Sequence, residues 1–370
     1  MYVLLSNNNK QSNSMVSGHI PPRQGRQGFG DKIIVGFLLT LSPVCICCYD
    51  TSEDRPNATL LVATGMLGII VIIVAEGLSR PPHNGPHEFV KQDQKKGKRD
   101  DDERVLVCLG DSLTHGACSA NWVDDVESSL IKQLKLQKKD KTTIKVNVVN
   151  AGQNSICTHT VLHEKVNHVV ACQPDYIFIM IGSNDAMAIY RDDWAKERMH
   201  TWKLTERPNE DVLIRNLTDI VKALLAQTTA VIAIATLPPF GESFDSDSNK
   251  IIESINFRIK TLENFFLGDI KSSSRETKRV SVIDVNSALW DEINSQRRSR
   301  NNAKATHSID MFLPYAIVMG LLHCVFGFSW NVLTHLFTGN VVLSESLHLN
   351  EDGGSVVKNE VEQWMLNIMT

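Results

Sequence analysis

Residues 105–116 read VLVCLGDSLTHG, an apolar run that ends at a glycine and is followed at once by an Asp-Ser pair. Gly-Asp-Ser is a common turn sequence, so this triplet alone does not indicate catalysis. Ser112, however, follows a predicted buried strand and begins a predicted helix, where free backbone N–H groups favour a developing negative charge. A serine in that position is a candidate nucleophile.

Two later strand ends carry residues that could donate hydrogen bonds to the same reacting group. Gly152 follows the second predicted strand and Asn184 follows the third. The carboxyl ends of parallel strands lie along one edge of a sheet, so the N–H groups of Ser112 and Gly152 and the Asn184 amide could form an oxyanion hole. Each such donor typically stabilises the transition state by ~3 kcal/mol. Gly152 has no side chain to obstruct approach to its N–H.

A serine nucleophile also needs a base, and the segment LSESLHLNEDGG (343–354) offers one just before the last predicted helix. His348 is the candidate base. Glu345, three residues earlier, could accept a hydrogen bond from the imidazole Nδ1–H and fix the tautomer. Two further carboxylates are interpreted as supporting residues: Asp111 would brace the nucleophile turn, and Asp185 would order its own loop.

The elements that must position these residues form an alternating pattern of strands and helices. Five short Val- and Ile-rich runs are predicted strands, at 105–109, 144–149, 176–181, 230–235 and 280–285. Helical patterns lie near 120–137, 159–171, 210–226, 249–266 and 354–368. Strands that are apolar on both faces and separated by helices predict an α/β fold with a doubly wound five-stranded parallel sheet.

In these blocks the sequence resembles the GDSL or SGNH family of serine esterases and lipases. The nucleophile block is Gly110-Asp111-Ser112-Leu113, the third block is Gly182-Ser183-Asn184-Asp185, and the four family-name residues correspond to Ser112, Gly152, Asn184 and His348. The resemblance covers residues 104–370 and implies a flavodoxin-like SGNH hydrolase fold. The family's last block is Asp-x-x-His, whereas this chain has Glu345 in the place of the aspartate.

The resemblance implies a serine esterase that works through an acyl-enzyme and needs no metal or organic cofactor. The chain is most similar to the lysophospholipase and acyl-thioesterase branch, which favours a lipid-like ester substrate. A formal net charge of −4 gives no reason to expect a nucleic-acid partner. Two alternatives remain open: a luminal acyltransferase or carbohydrate deacetylase, and a catalytically inactive binding protein of the same fold, with Glu345 as the sign of decay.

The residues before the predicted hydrolase domain indicate a membrane anchor. Residues 1–31 are polar and predicted to be disordered. Residues 32–79 contain two apolar segments, 33–48 and 59–78, which predict a transmembrane hairpin, the second segment being the better candidate. Residues 80–103 are charge-dense and are interpreted as a linker.

The charges around the hairpin predict that both of its ends are cytosolic. Only Arg55 is basic between the two apolar segments, whereas several basic residues precede and follow them: Lys10, Arg23, Arg26, Lys32, Arg80, Lys91, Lys95, Lys96, Lys98 and Arg99. We therefore expect an integral membrane protein with its catalytic domain on the cytosolic face of an internal membrane. The luminal face is the alternative, and a glycan on the sequon at Asn216 would favour it.

A third apolar segment, LPYAIVMGLLHCVFGFSW (313–330), is long enough to be taken for a membrane span. A single crossing there would put Ser112 and His348 on opposite sides of the membrane, although the proposed chemistry requires a hydrogen bond between them. The segment is therefore predicted not to cross. Two interpretations remain: a buried helix, or a lid or interfacial helix that lines an acyl pocket.

Overall fold

A computed structural model describes residues 80–97, 99–137, 144–270, 279–300 and 309–369. The predicted disordered tail 1–31 and the predicted anchor 32–79 lie outside the described residues. Within the part of the chain that is described, no helix combines the length and the apolar character needed to cross a bilayer.

The centre of the domain is a five-stranded parallel sheet in the order β2-β1-β3-β4-β5. Its strands are β1 (Glu103–Gly110), β2 (Lys145–Gly152), β3 (Tyr176–Met180), β4 (Val231–Ala235) and β5 (Val280–Ile283). All five overlap the predicted strands, so the prediction of a doubly wound parallel sheet is confirmed. The strand order reverses at β1, which lies between β2 and β3, and such a reversal opens a crevice at the carboxyl edge of the sheet.

Helices cover the sheet on both faces. They are α1 (Pro86–Lys96), α2 (Ser112–His115), α3 (Trp122–Gln137), α4 (Thr158–Thr160), α5 (Val166–Ala171), α6 (Ser183–Tyr190), α7 (Asp192–Trp202), α8 (Glu210–Gln227), α9 (Asp247–Ile270), α10 (Val285–Arg300), α11 (Phe312–Phe326), α12 (Trp330–Phe337) and α13 (Glu351–Met369). A π-helical turn, Val161–Lys165, joins α4 to α5.

The apolar run of β1 explains why the sheet needs helices on both faces. Val105, Val107 and Leu109 belong to one buried cluster, together with residues of α8 and α9. Leu106 and Cys108, which alternate with them, belong to a second cluster with residues of α3, α10 and α13. Because successive side chains of a strand point to opposite faces, a strand without polar alternation must be covered on both sides.

The charge-dense segment 80–103, interpreted from its composition as a linker, is packed against the sheet domain instead. Helix α1 buries Val90 in the core. Arg99 then donates to the backbone carbonyl oxygen of Gln173 at 3.0 Å. Lys91, Lys95 and Lys96 made the segment resemble a solvated linker, but they lie on a helix whose apolar residue Val90 contacts the core.

The apolar segment 313–330 forms α11 and the start of α12. The interpretation of a buried helix is wrong, because Leu313, Ile317 and Phe326 are exposed large apolar side chains. Few residues of the pair are buried: Phe312 packs in the main core, and Met319, Trp330 and Leu333 form a small separate cluster. The helix pair therefore lies on the surface of the domain, next to the crevice.

Candidate active site

The Asp-Ser pair forms the sharp turn between β1 and α2. Asp111 is the N-cap of α2, and its side chain accepts a hydrogen bond from the N–H of Leu113 at 3.0 Å. Gly110 is required just before the turn, because a Cβ there would lie 2.4 Å from the carbonyl oxygen of Met180. The turn brings Ser112 to the carboxyl edge of the sheet. Helix α2 has only 4 residues, so its backbone N–H groups matter more here than a helix dipole.

His348 lies beside Ser112, although 236 residues separate the two in the chain. The Nε2 atom of His348 is 3.0 Å from the Oγ atom of Ser112. The Nδ1 atom is hydrogen-bonded to Oε1 of Glu345, which also accepts the N–H of His348 at 3.2 Å. Because a carboxylate only accepts, Nδ1 carries the proton and Nε2 is left to accept the Ser112 hydroxyl proton. The structure thus brings together the three residues that the sequence singled out for nucleophile, base and acid.

The loop that carries this histidine is held in place by a carboxylate that the sequence analysis did not identify. Glu242, in the loop after β4, is buried and accepts the N–H groups of Val341 and Val342 at 2.7 Å and of Leu343 at 3.1 Å. Arg297 of α10 donates to its other oxygen at 3.1 Å. Burial raises the pKa of Glu242 above its usual value, and the backbone donors partly oppose that shift.

Three further contacts hold the same loop close to Glu345 and His348. The N–H of Gly241 donates to the carbonyl oxygen of Ser346 at 2.7 Å. The side-chain amide of Asn340 donates to the carbonyl oxygen of Glu345 at 2.7 Å. The N–H of Ser344 donates to the carbonyl oxygen of His348 at 2.7 Å, which closes the turn on itself. A side chain on such a tightly bonded loop loses little freedom when it acts as a base.

The structure places Gly152 differently from the prediction that its N–H would join an oxyanion hole. That N–H donates to the side-chain oxygen of Asn150 at 2.9 Å. Gly152 instead allows close packing, because a Cβ there would lie 2.3 Å from the backbone nitrogen of His115 in α2. The strand end is bonded by a neighbouring side chain, a contact that spacing along the sequence does not show.

The other two predicted donors keep an N–H hydrogen that no described protein group accepts. Among the described residues, the backbone N–H of Ser112 has no hydrogen-bond acceptor. Asn184 is the second residue of α6, just after the third strand, and its amide donates one hydrogen to the carbonyl oxygen of Ile156 at 3.0 Å. A side-chain amide carries two donor hydrogens, so the second is available for a substrate oxygen.

The two predicted supporting carboxylates are both fully buried. Asp185 accepts the N–H and the hydroxyl of Thr158 at 2.9 and 2.7 Å, which joins the loop after β2 to α6. Burial raises the pKa of Asp185 and that of Asp111 to about 6. The amide of Asn216 donates to the Thr158 hydroxyl at 3.2 Å and is buried, so a glycan at this sequon is incompatible with the folded domain.

One wall of the site is apolar and belongs to the first residue of α11. The ring of Phe312 lies 5.8 Å from the imidazole of His348, measured between centroids. The same ring contacts the indole of Trp194 at 5.7 Å. Leu313, the next residue, is already exposed on the surface of the domain. Helix α11 therefore carries both an aromatic ring beside His348 and exposed apolar side chains.

The comparison with protein families agrees with this geometry. Residues 108–300 match the model of the GDSL-like lipase/acylhydrolase family. The chain belongs to this family. As a member of this family it is a serine ester hydrolase. The matched region includes Ser112, Gly152 and Asn184, and the His348 loop follows it.

Solved structures with a similar chain trace include two acetylxylan esterases and one lipolytic protein. The acetylxylan esterase Axe2 from Geobacillus stearothermophilus is 14% identical, with a TM-score of 0.45 and coverage of 70% of this chain and 93% of its own. The acetyl xylan esterase AlAXEase is 13% identical, with a TM-score of 0.44 and coverage of 71% and 98%. A G-D-S-L family lipolytic protein from Veillonella parvula is 13% identical, with a TM-score of 0.41 and coverage of 70% and 97%. A comparison with curated protein sequences found no match.

Proposed function

We propose that Ser112 is the nucleophile, His348 the general base and Glu345 the acid of this serine ester hydrolase, and that its substrate is a lipid-like ester in a membrane. The observation that carries the catalytic assignment is the hydrogen-bonded chain from Ser112 Oγ through the His348 imidazole to the Glu345 carboxylate. These are the contacts that an activated serine requires.

In the proposed mechanism, His348 Nε2 removes the hydroxyl proton of Ser112 while Oγ forms a bond to the ester carbonyl carbon. The carbonyl electron pair moves onto the oxygen, which the Ser112 N–H and the Asn184 amide stabilise. When the tetrahedral intermediate collapses, the bond to the alcohol breaks and His348 gives its proton to the leaving oxygen. Water, deprotonated by the same nitrogen, then releases the acid and restores the serine.

The first experiment is labelling of the full chain by a fluorophosphonate, which reacts covalently with an activated serine. We expect the wild-type protein to be labelled and Ser112→Ala to be unlabelled. Ser128→Ala is the matched control, because Ser128 is an exposed serine of α3 whose hydroxyl bonds only the carbonyl oxygen of Asp125, and this variant should label normally. A folded wild-type protein that fails to label would instead favour the inactive binding protein.

The lipid-like substrate and the membrane location are supported by features outside the catalytic triad. Two apolar segments, 33–48 and 59–78, precede the domain, and an apolar wall leads from His348 to the surface at α11. The basic residues that flank the apolar segments favour a cytosolic domain. The same probe, applied to sealed membranes before and after permeabilisation, tests the side, because a cell-impermeant fluorophosphonate labels a luminal domain only after permeabilisation.

Hydrolysis and acyl transfer differ only in what attacks the acyl-enzyme. A time course of product release from a radiolabelled acyl ester separates them, because hydrolysis yields the free acid without any added acceptor. Release that depends on an added alcohol or glycan would support the acyltransferase alternative. A preference for acetylated carbohydrate over lipid esters would support the deacetylase alternative.

A further inference from the structure

The α11–α12 pair presents an apolar surface that the fold of the domain does not require. Its exposed large side chains are Leu313, Ile317, Val318, Val325, Phe326, Phe328, Val332 and Leu336. The pair has its own small buried cluster, so these outward residues are not needed to hold the two helices together. An exposed apolar patch of this kind marks an interaction surface.

The segment that forms this surface also contains a long stretch of sequence without charged residues. Residues 311–344 contain no Asp, Glu, Lys or Arg, although 22% of the whole chain is charged. Helix α11 is apolar around its full circumference, and such a helix is normally buried in protein or in lipid. With 15 residues it measures about 22 Å, less than the ~30 Å of a bilayer core, so it suits insertion into an interface and not a crossing.

The chain that arrives from the predicted anchor is fixed at the same end of the domain. The carbonyl oxygen of Arg80 accepts a hydrogen bond at 2.9 Å from Nε2–H of His115, the last residue of the nucleophile helix α2. Asn84, four residues later, is bonded to the end of β2 through the N–H of Asn150 at 3.1 Å. The predicted transmembrane segment 59–78 ends only two residues before Arg80, a reach of at most ~7 Å.

The loop after α2 and the start of α11 both pack against the His348 loop. Ser119, four residues beyond His115, accepts the N–H of Leu349 at 3.1 Å. The ring of Phe312, the first residue of α11, lies 5.8 Å from the imidazole of His348. The end of the domain that receives the chain from the predicted anchor therefore shares the His348 loop with α11.

We infer that the exposed surface of α11 and α12 inserts into the same phospholipid bilayer that holds the anchor, so that a lipid ester reaches Ser112 from the membrane along α11 and past Phe312. This inference rests on the proposed function and adds the route of the substrate. A bilayer is favoured over a soluble partner because the predicted anchor ends within ~7 Å of Arg80, whose carbonyl oxygen is bonded to the nucleophile helix, and because the residues of the surface carry no charge.

The test uses the full chain in phosphatidylcholine vesicles with two charge substitutions on the surface, Phe326→Glu and Leu336→Glu. Both side chains are 67% exposed, so neither substitution disturbs the core. The matched control is Phe257→Glu, at a 70% exposed phenylalanine of α9 on another part of the domain. Each variant is assayed on a water-soluble short-chain ester and on a long-chain lysophospholipid ester embedded in the vesicles.

We expect the two surface variants to hydrolyse the embedded ester roughly tenfold more slowly, because a carboxylate resists entry into the acyl region. Their kcat/KM for the soluble ester should match the wild type, and the control should match it on both substrates. Equal rates for all proteins on the embedded ester would overturn the inference while leaving the esterase intact. Absence of activity on every ester in the wild type would instead refute the proposed function.

Depth measurement gives a second readout that does not depend on turnover. A fluorophore attached at Phe326→Cys should be quenched by lipids brominated in the acyl chains, whereas one at Phe257→Cys should not. Quenching at neither position would overturn the inference. A concentration-dependent change of oligomeric state in Phe326→Glu, without acyl-chain quenching in the labelled protein, would also overturn it and assign the surface to a second copy of the chain.

Discussion

The most specific prediction concerns Glu345, because the family pattern has an aspartate at this position. Its carboxylate is buried and accepts three hydrogen bonds: from Nδ1–H and N–H of His348 and from the hydroxyl of Ser344. In Glu345→Gln, the amide oxygen can keep both bonds to His348, while the NH2 group can donate to the Ser344 oxygen. The substitution therefore removes the negative charge and leaves the geometry largely intact.

The expected effect follows from what that charge does during the reaction. When His348 takes the Ser112 proton, a buried imidazolium forms, and an adjacent carboxylate stabilises it far better than a neutral amide. We expect kcat for a soluble ester to fall about 10²- to 10³-fold, or ~3–4 kcal/mol of transition-state stabilisation. KM should change little, because Glu345 does not line the path of the substrate.

A second variant tests the geometry separately from the charge. Glu345→Asp keeps the charge but withdraws the carboxylate by about one methylene, or ~1.5 Å. A misplacement near 1 Å can cost up to ~100-fold, so we expect a tenfold to hundredfold loss that is smaller than that of Glu345→Gln. An aspartate variant as active as the wild type would show that the loop adjusts to either acid.

The assay compares kcat with a control glutamate from the same region. Glu351 begins α13 and accepts the backbone N–H groups of Trp330 and Asn331, the first at 2.7 Å, without contacting His348. Glu351→Gln should therefore keep kcat within about threefold of the wild type. If Glu345→Gln also stays within threefold, Glu345 is not the catalytic acid and the assignment made above is refuted.

Two further predictions concern buried carboxylates behind the site. Glu242→Ala leaves three backbone N–H groups without acceptors, so we expect the free energy of unfolding to fall by about 3–5 kcal/mol. The kcat of the folded protein should also fall, because the loop that carries His348 loosens. A normal kcat below the melting temperature would exclude a positioning role for Glu242. The pKa of Asp185 is raised from 3.8 to about 6, so its stabilising contribution is full below pH 3.8 and is lost as pH rises through 6. The excess stability of the wild type over Asp185→Asn, measured by urea unfolding, should therefore shrink by about 2 kcal/mol from pH 4 to pH 8, and an excess that grows with pH would contradict the burial argument.

The sequence by itself determined the fold class and the residues that are candidates for catalysis. Five Val- and Ile-rich runs separated by helical patterns were sufficient for a parallel sheet, because the burial of a strand on both faces is visible in its own residues. The blocks around Ser112, Asn184 and His348 were also recognisable from their local sequence. Each is a short stretch at a strand or helix end, and its local sequence shows the turn that presents the side chain.

Only the tertiary structure decided which partner each polar group takes. Glu242 holds the N–H groups of residues about 100 positions later, and nothing in LPPFGE indicates that contact. The N–H of Gly152 was expected at the reacting oxygen, but Asn150 accepts it. Such pairings depend on where distant segments meet, and strand spacing alone does not carry that information.

Solvent exposure was likewise decided by packing. The apolar segment 313–330 allowed a buried helix or an interfacial one, and the charged segment 80–103 suggested a solvated linker. Helix α11 enters the core through Phe312 and leaves most of its large apolar side chains exposed, whereas α1 enters it through Val90 and leaves its lysines exposed. Composition gives the affinity of a segment for water, but only the fold determines which surface remains to be covered.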